Sequence, residues 1–147
     1  MSTITLITAL GNHDDKYLHT RHNAGFWFLD ALCQRIGGRW TFQSNLGGYL
    51  YKWQAQKIIL FKPGKLMNIN GGPIATCAKY FKIENHSILI AHDELDFPCG
   101  QVRIKTQGGH GGHNGMRDVL AHLQPNTYLR LRIGIDRPSE ENSVSHY

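Results

Sequence analysis

The fold predicted over residues 1–147 is a single α/β domain with a twisted, mostly parallel mixed central sheet flanked by helices. Three observations predict it. Short apolar runs of strand length recur along the chain, and between them lie segments whose apolar residues fall at helical spacing. Strands interleaved with helices in this way build around one sheet. A chain of 147 residues, 41% hydrophobic and 18% charged, can bury a real core and is too apolar to remain disordered.

The elements follow in order. Thr3 to Leu10 reads as a buried strand ended by Gly11. Leu29, Leu32, Cys33 and Ile36 share a helical face, which predicts a helix over 24–36 closed by Gly37 and Gly38. Tyr49 to Trp53 and Lys57 to Phe61 read as two short strands. Pro73 suits the first position of a helix carried on by Ile74 to Phe81. The isoleucine-rich run Ser87 to Ala91 predicts a strand, and Gln101 to Lys105 another. Met116, Val119, Leu120 and Leu123 mark a third helix, expected to begin at Gly115 with Asn114 as its N-cap. Tyr128 to Ile135 alternates as a final strand.

Several function classes are disfavoured. No apolar run reaches membrane-spanning length, and the N-terminus passes into a strand pattern without a basic signal region. Cys33, Cys77 and Cys99 are odd in number and widely spaced, which suits reduced thiols in a cytoplasm. The formal charge of +5 leans weakly toward a polyanionic partner. His19 and His22, or His110 and His113, have a three-residue separation, but HExxH and CxxC are absent, so no metal is expected. A GxSxG elbow, a dinucleotide fingerprint and a P-loop are also missing.

The chemistry concentrates elsewhere. Ligands of open α/β sheets gather beyond the carboxyl ends of strands. There the first strand delivers Asn12, the Ser87 strand delivers Asp93, and His22 precedes the first helix. A neutral imidazole takes a proton from water near pH 7, and works better when a carboxylate fixes its tautomer. The alternative is that His22 only hydrogen-bonds at a helix start while Asp93 caps a loop. Asn12, Asn68 and Asn114 supply carboxamides that can bind a peptide backbone or an oxyanion, or serve only as turn and cap residues. Residues 108–113, GGHGGH, form a loop suited to close approach of a nucleic-acid backbone or a substrate, or to a flexible connector. Arg103 with Lys105, and Arg130 with Arg132, each share a strand face that could meet phosphates or merely solvent.

Together these motifs resemble bacterial-type peptidyl-tRNA hydrolase. The resemblance is carried by LGN at 10–12, Tyr17, TRHNAGF at 20–26, KP at 62–63, MN at 67–68 and HDELDFPCG at 92–100. It continues through Lys105, GGHGGHNG at 108–115, Arg117 and RLRIGIDRP at 130–138. It implies a monomeric, cytoplasmic enzyme without cofactor that cleaves the ester between a peptide and the 3′ end of tRNA. It further implies His22 as general base and Asp93 as its orienting acid. Asn12, Tyr17, Asn68, His113 and Asn114 would then bind substrate, and Lys105 with Arg132 would clamp a tRNA phosphate. A noncatalytic RNA-binding relative is the alternative.

The chain departs from that pattern at His13 and Asp14, where Pro-Gly is usual, and at Leu66 and Asn70, where an aromatic residue and a serine are common. The family continues past the last strand with a helical segment. This chain stops at Tyr147, so that segment is expected to be missing.

Overall fold

A computed structural model describes residues 3–12, 20–64 and 67–137, with the side chain of Asn68 excepted. Seven strands form one mixed sheet: β1 (Leu6–Ala9), β2 (Thr41–Gln43), β3 (Gly48–Trp53), β4 (Ile58–Pro63), β5 (Ile88–Glu94), β6 (Val102–Thr106) and β7 (Leu129–Gly134). Their spatial order is β2-β3-β4-β1-β5-β7-β6. The four central strands, β4, β1, β5 and β7, are mutually parallel, and β3 and β6 run against their neighbours.

Alternation along the strands sorts the core into two layers. Ile7, Ala9, Leu60 and Ala91 face α1 (Ala24–Arg35), which buries Phe26, Leu29 and Cys33 against them. Leu6, Phe61, Ile88 and Ile90 face the other way, onto α2 (Gly71–Tyr80) and α3 (Asn114–His122) through Ile74, Cys77, Met116 and Val119. Gly37, in the left-handed region at φ 73°, ends α1 together with the Gly38 N–H bonded to the Cys33 carbonyl at 2.8 Å.

Most boundaries shift by a few residues from the sequence expectation; two shifts and one added strand have a clear tertiary reason. β5 runs on through His92 and Asp93 to Glu94 because all three pair with β7, so the acidic run begins inside the sheet. α2 starts at Gly71 rather than Pro73. The Asp118 carboxylate accepts the Gly71 N–H at 2.8 Å, and a Cβ on Gly71 would meet the Asp118 carbonyl at 2.5 Å. β2 has only three residues, too few to show alternation, and exists through its pairing with β3.

Gly25 sets the position of α1. A Cβ there would lie 2.7 Å from the Ala91 carbonyl oxygen and 2.8 Å from that of Leu10. The helix start is thereby pressed onto the carboxyl ends of β1 and β5. Gly25→Ala is expected to destabilise the chain by about 1–3 kcal/mol through overpacking, read from the midpoint of urea unfolding.

Candidate active site

Beyond the carboxyl end of β1 the backbone turns at Gly11 and Asn12. Buried asparagines fix that turn. The Asn12 N–H donates to Asn23 Oδ1 at 2.7 Å, and the Asn12 carbonyl accepts from Asn23 Nδ2 at 2.8 Å. The Gly11 N–H donates to Asn70 Oδ1 at 2.9 Å. Asn12 Oδ1 in turn accepts the Met67 N–H, so the group it can present to a ligand is its Nδ2 amide. Asn23 precedes α1, where asparagine ordinarily caps a helix with its own side chain. Here that side chain makes no cap bond and clamps the β1 turn instead.

The same short stretch carries His22. It lies in a 3-10 turn, Arg21–Asn23, joined to α1, and the close seating of Gly25 brings it to the end of β5. Its Nδ1 pairs with Asp93 Oδ2. The Asp93 side chain is 1% exposed and that of His22 is 19% exposed, so the acid is sealed while the imidazole edge reaches solvent. The second Asp93 oxygen, Oδ1, accepts from His113 Nε2 at 2.7 Å. His113 Nδ1 accepts the Met116 N–H at 3.1 Å, which makes His113 the N-cap of α3 in place of Asn114. That cap fixes the His113 tautomer: with Nδ1 accepting, Nε2 carries the proton toward Asp93. Both ring nitrogens of His113 are therefore engaged inside the protein. Asn114 is the first helical residue and is exposed.

The electrostatics follow. Burial opposes ionisation of Asp93, but the adjacent imidazoles of His113 and His22 outweigh it and hold its carboxyl well below the usual carboxylate range. Burial likewise opposes the His22 cation. The hydrogen bond and charge of Asp93 overcome that and lift His22 above its ordinary value. His22 is thus a strengthened base whose Nδ1 is occupied, with Nε2 left for proton transfer. A cavity of about 200 Å³ opens on this pair, lined also by Asp96, Gly112, Asn114 and Arg137.

A scan against protein families matches residues 6–147 to peptidyl-tRNA hydrolase. This chain belongs to the peptidyl-tRNA hydrolase family. A peptidyl-tRNA hydrolase of Coxiella burnetii is 44% identical over 144 residues, covering 98% of this chain and 76% of the relative. One of Neisseria meningitidis is 42% identical over 148 residues, covering 99% and 77%. A crystal structure of peptidyl-tRNA hydrolase from Acinetobacter baumannii superposes with a TM-score of 0.90 at 43% identity, over 99% of this chain and 76% of that one. The Arg119Gln mutant of the Acinetobacter baumannii enzyme gives 0.91 at 42% identity, over 99% and 74%. The mixed sheet and its three helices are the fold of this family.

Of the residues that the resemblance to peptidyl-tRNA hydrolase singles out, Asn12, His22, Asp93, His113 and Asn114 converge at one end of the sheet. Tyr17 and the Asn68 side chain lie outside the described residues. Lys105 and Arg132 stand apart, on β6 and β7. The pairing of Arg103 with Arg132, and of Lys105 with Arg130, puts Lys105 and Arg132 at diagonal positions on one face. The Arg132 guanidinium stacks 4.4 Å from the Phe97 ring centroid and lies 3.4 Å from Glu94, and Arg103 stacks on the same ring at 5.2 Å. Arg130 corrects the expected pair of surface cations, because it is 3% exposed and bonded internally to His92 and Gly109. The sequence assigns no site role to Asn23, Asn70 or His92, although Asn70 stands out as a departure from the family pattern. The available signal was their position inside or beside the family motifs.

No helix among the described residues is long and apolar enough to cross a membrane. Among those residues, no group of three or more His, Cys, Asp or Glu is arranged to hold a metal ion.

Proposed function

We propose that this chain hydrolyses the ester between a peptide, or an N-blocked aminoacyl group, and the 3′ end of tRNA, with His22 as the general base. The observation that carries the reading is the His22–Asp93 pair opening onto a cavity beside the Asn114 amide. Water held at His22 Nε2 gives up its proton as its oxygen attacks the ester carbonyl. The new C–O bond makes a tetrahedral oxyanion, for which the Asn12 and Asn68 carboxamides are the proposed donors. Collapse breaks the bond to the ribose oxygen, which takes the proton back from His22. The products are a peptide carboxylic acid and a tRNA with its terminal hydroxyl restored. A positioned base contributes roughly 100- to 10,000-fold, and a single oxyanion donor roughly 100- to 1,000-fold.

Asn114 is assigned to the substrate's 3′ end, and Tyr17 to substrate binding. His113 is assigned to the same loop, where its two internal bonds favour holding Asp93 over touching substrate. Lys105 and Arg132 are assigned to a tRNA phosphate, an interaction that positions RNA without reading its sequence. Lys105→Ala and Arg132→Ala are expected to raise KM and leave kcat nearly unchanged. Each should also flatten the log–log dependence of kcat/KM on salt by about 0.7–0.9 for every phosphate no longer neutralised. One domain over residues 1–147, working as a cytoplasmic monomer, completes the reading. Free thiols at Cys33, Cys77 and Cys99 fit a reducing compartment.

The deciding experiment is release of labelled peptide from N-blocked aminoacyl-tRNA by the 147-residue chain. Release well above the uncatalysed rate supports the reading. Tight tRNA binding without turnover would favour the noncatalytic alternative.

A further inference from the structure

One buried charge takes no direct part in that chemistry. Arg130 lies within β7, 3% exposed, and among the described residues no carboxylate comes within ion-pair distance of it. Burying a guanidinium without a carboxylate partner is costly, so its acceptors must offset that cost. They are two neutral groups. Its Nε–H donates to His92 Nε2 at 3.2 Å, and its Nη1–H donates to the Gly109 carbonyl at 2.8 Å.

His92 is equally committed. Its Nδ1 donates to the Asp93 carbonyl oxygen at 2.7 Å, which leaves Nε2 unprotonated to face the guanidinium. Burial, with the neighbouring His113 and Arg130, lowers its pKa to about 3, so the ring is neutral in any working buffer. The His92 ring also meets the His113 ring edge-on, with centroids 5.0 Å apart. The loop gripped by Arg130 at Gly109 is the one that carries His113 to the second oxygen of Asp93. Within that loop Gly108, Gly111 and Gly112 all have positive φ; a turn from the His113 N–H to the His110 carbonyl holds its far end, and the Asn126 amide and Arg130 tie its near end to the rest of the chain at the Gly108 and Gly109 carbonyls.

We propose that His92 and Arg130 are positioning residues for the hydrolysis. Together they clamp the 108–113 loop to the sheet and seat the His113 imidazole, which holds the Asp93 carboxylate in line with His22. The proposal rests on the general-base reading of His22. Neither residue touches substrate, and their effect passes through His113 and Asp93.

Arg130→Met and His92→Leu remove the clamp, whereas His92→Gln keeps an acceptor toward Arg130. In steady-state peptide release, the first two are expected to lower kcat by about 100-fold, as a misplacement near 1 Å does, with KM little changed. His92→Gln is expected to recover part of kcat. Proton NMR should show the imidazole N–H of His113 shielded from exchange in the wild-type chain and lost in Arg130→Met. Unchanged kcat in folded Arg130→Met and His92→Leu would overturn the proposal, as would a rise in KM alone. Should these variants not fold, nitrogen-15 shifts of the wild-type histidines decide: the proposal requires His92 protonated on Nδ1 only, and a proton on Nε2 overturns it. If the wild-type chain released no peptide, the general-base reading would fail, while the His92 tautomer and the His113 proton would still decide whether the clamp exists.

Discussion

His22→Ala should abolish measurable peptide release, lowering kcat by roughly 100- to 10,000-fold, while tRNA binding stays close to wild type. The expectation follows from where the imidazole sits. One nitrogen is taken by a sealed carboxylate and the ring edge faces a cavity, so the side chain has little to contribute to RNA affinity. Single-turnover release of labelled peptide, beside direct tRNA binding at the same salt, separates the two quantities. Equal loss of binding and turnover would remove His22 from the role of base. The stability cost should be small, because the side chain is part exposed and its partner keeps the bond to His113.

Asp93→Asn should be nearly as severe for a different reason. His113 must present its Nε2 proton to residue 93, because its other nitrogen caps α3. The asparagine oxygen will therefore turn toward His113, and its NH2 toward His22 Nδ1. His22 is then driven into the tautomer protonated on Nε2, which has no lone pair for water. A wrong-tautomer histidine of this kind costs up to about 10,000-fold in the serine protease triad.

The pH profile gives an independent sign. In the wild-type chain Asp93 lifts His22 above its ordinary value near 6.5, so the acid limb of kcat/KM should fall above that pH. In Asp93→Asn burial and the amide N–H donated to Nδ1 both oppose the cation, and the limb should move below 6.5. Stability follows the same linkage. Asp93 ionises more readily folded than unfolded, so it contributes stability above its ordinary pKa of 3.8 that is lost as pH falls through the depressed folded value. His22 contributes most below 6.5, and its share fades as pH rises through its raised value. The amide variant should therefore show a flatter acid side in its unfolding midpoint against pH. An unchanged profile would mean that Asp93 does not govern the His22 proton.

How much of this could be read from residues alone depended on whether the governing force was local. The α1 boundaries, the strand periods and the placing of Asn12 and Asp93 at the ends of neighbouring strands follow from spacing and from a general rule of α/β sheets. The start of α2 at Gly71 does not, because it depends on Asp118 from another helix. Arg130 and Arg132 look alike in a strand reading, two cations on one face. Only the packing of β7 beside β5 shows that one is enclosed against His92 while the other reaches the Phe97 ring. Asn23 and His113 show the same limit from opposite sides. The residue type best suited to cap α1 commits its side chain to a distant turn, and a histidine does the capping of α3.

Among the described strands β6 closes one edge of the sheet, with Val102 51% and Ile104 66% exposed and alternating with Arg103 and Lys105. An edge strand of this kind invites pairing with another chain, and cations along it are the usual deterrent. Lys105, proposed to meet nucleic acid, therefore serves colloidal solubility as well, together with Arg103. Removing the Lys105 cation to weaken RNA affinity would leave a stickier ribbon, so light scattering belongs beside the kinetics of Lys105→Ala.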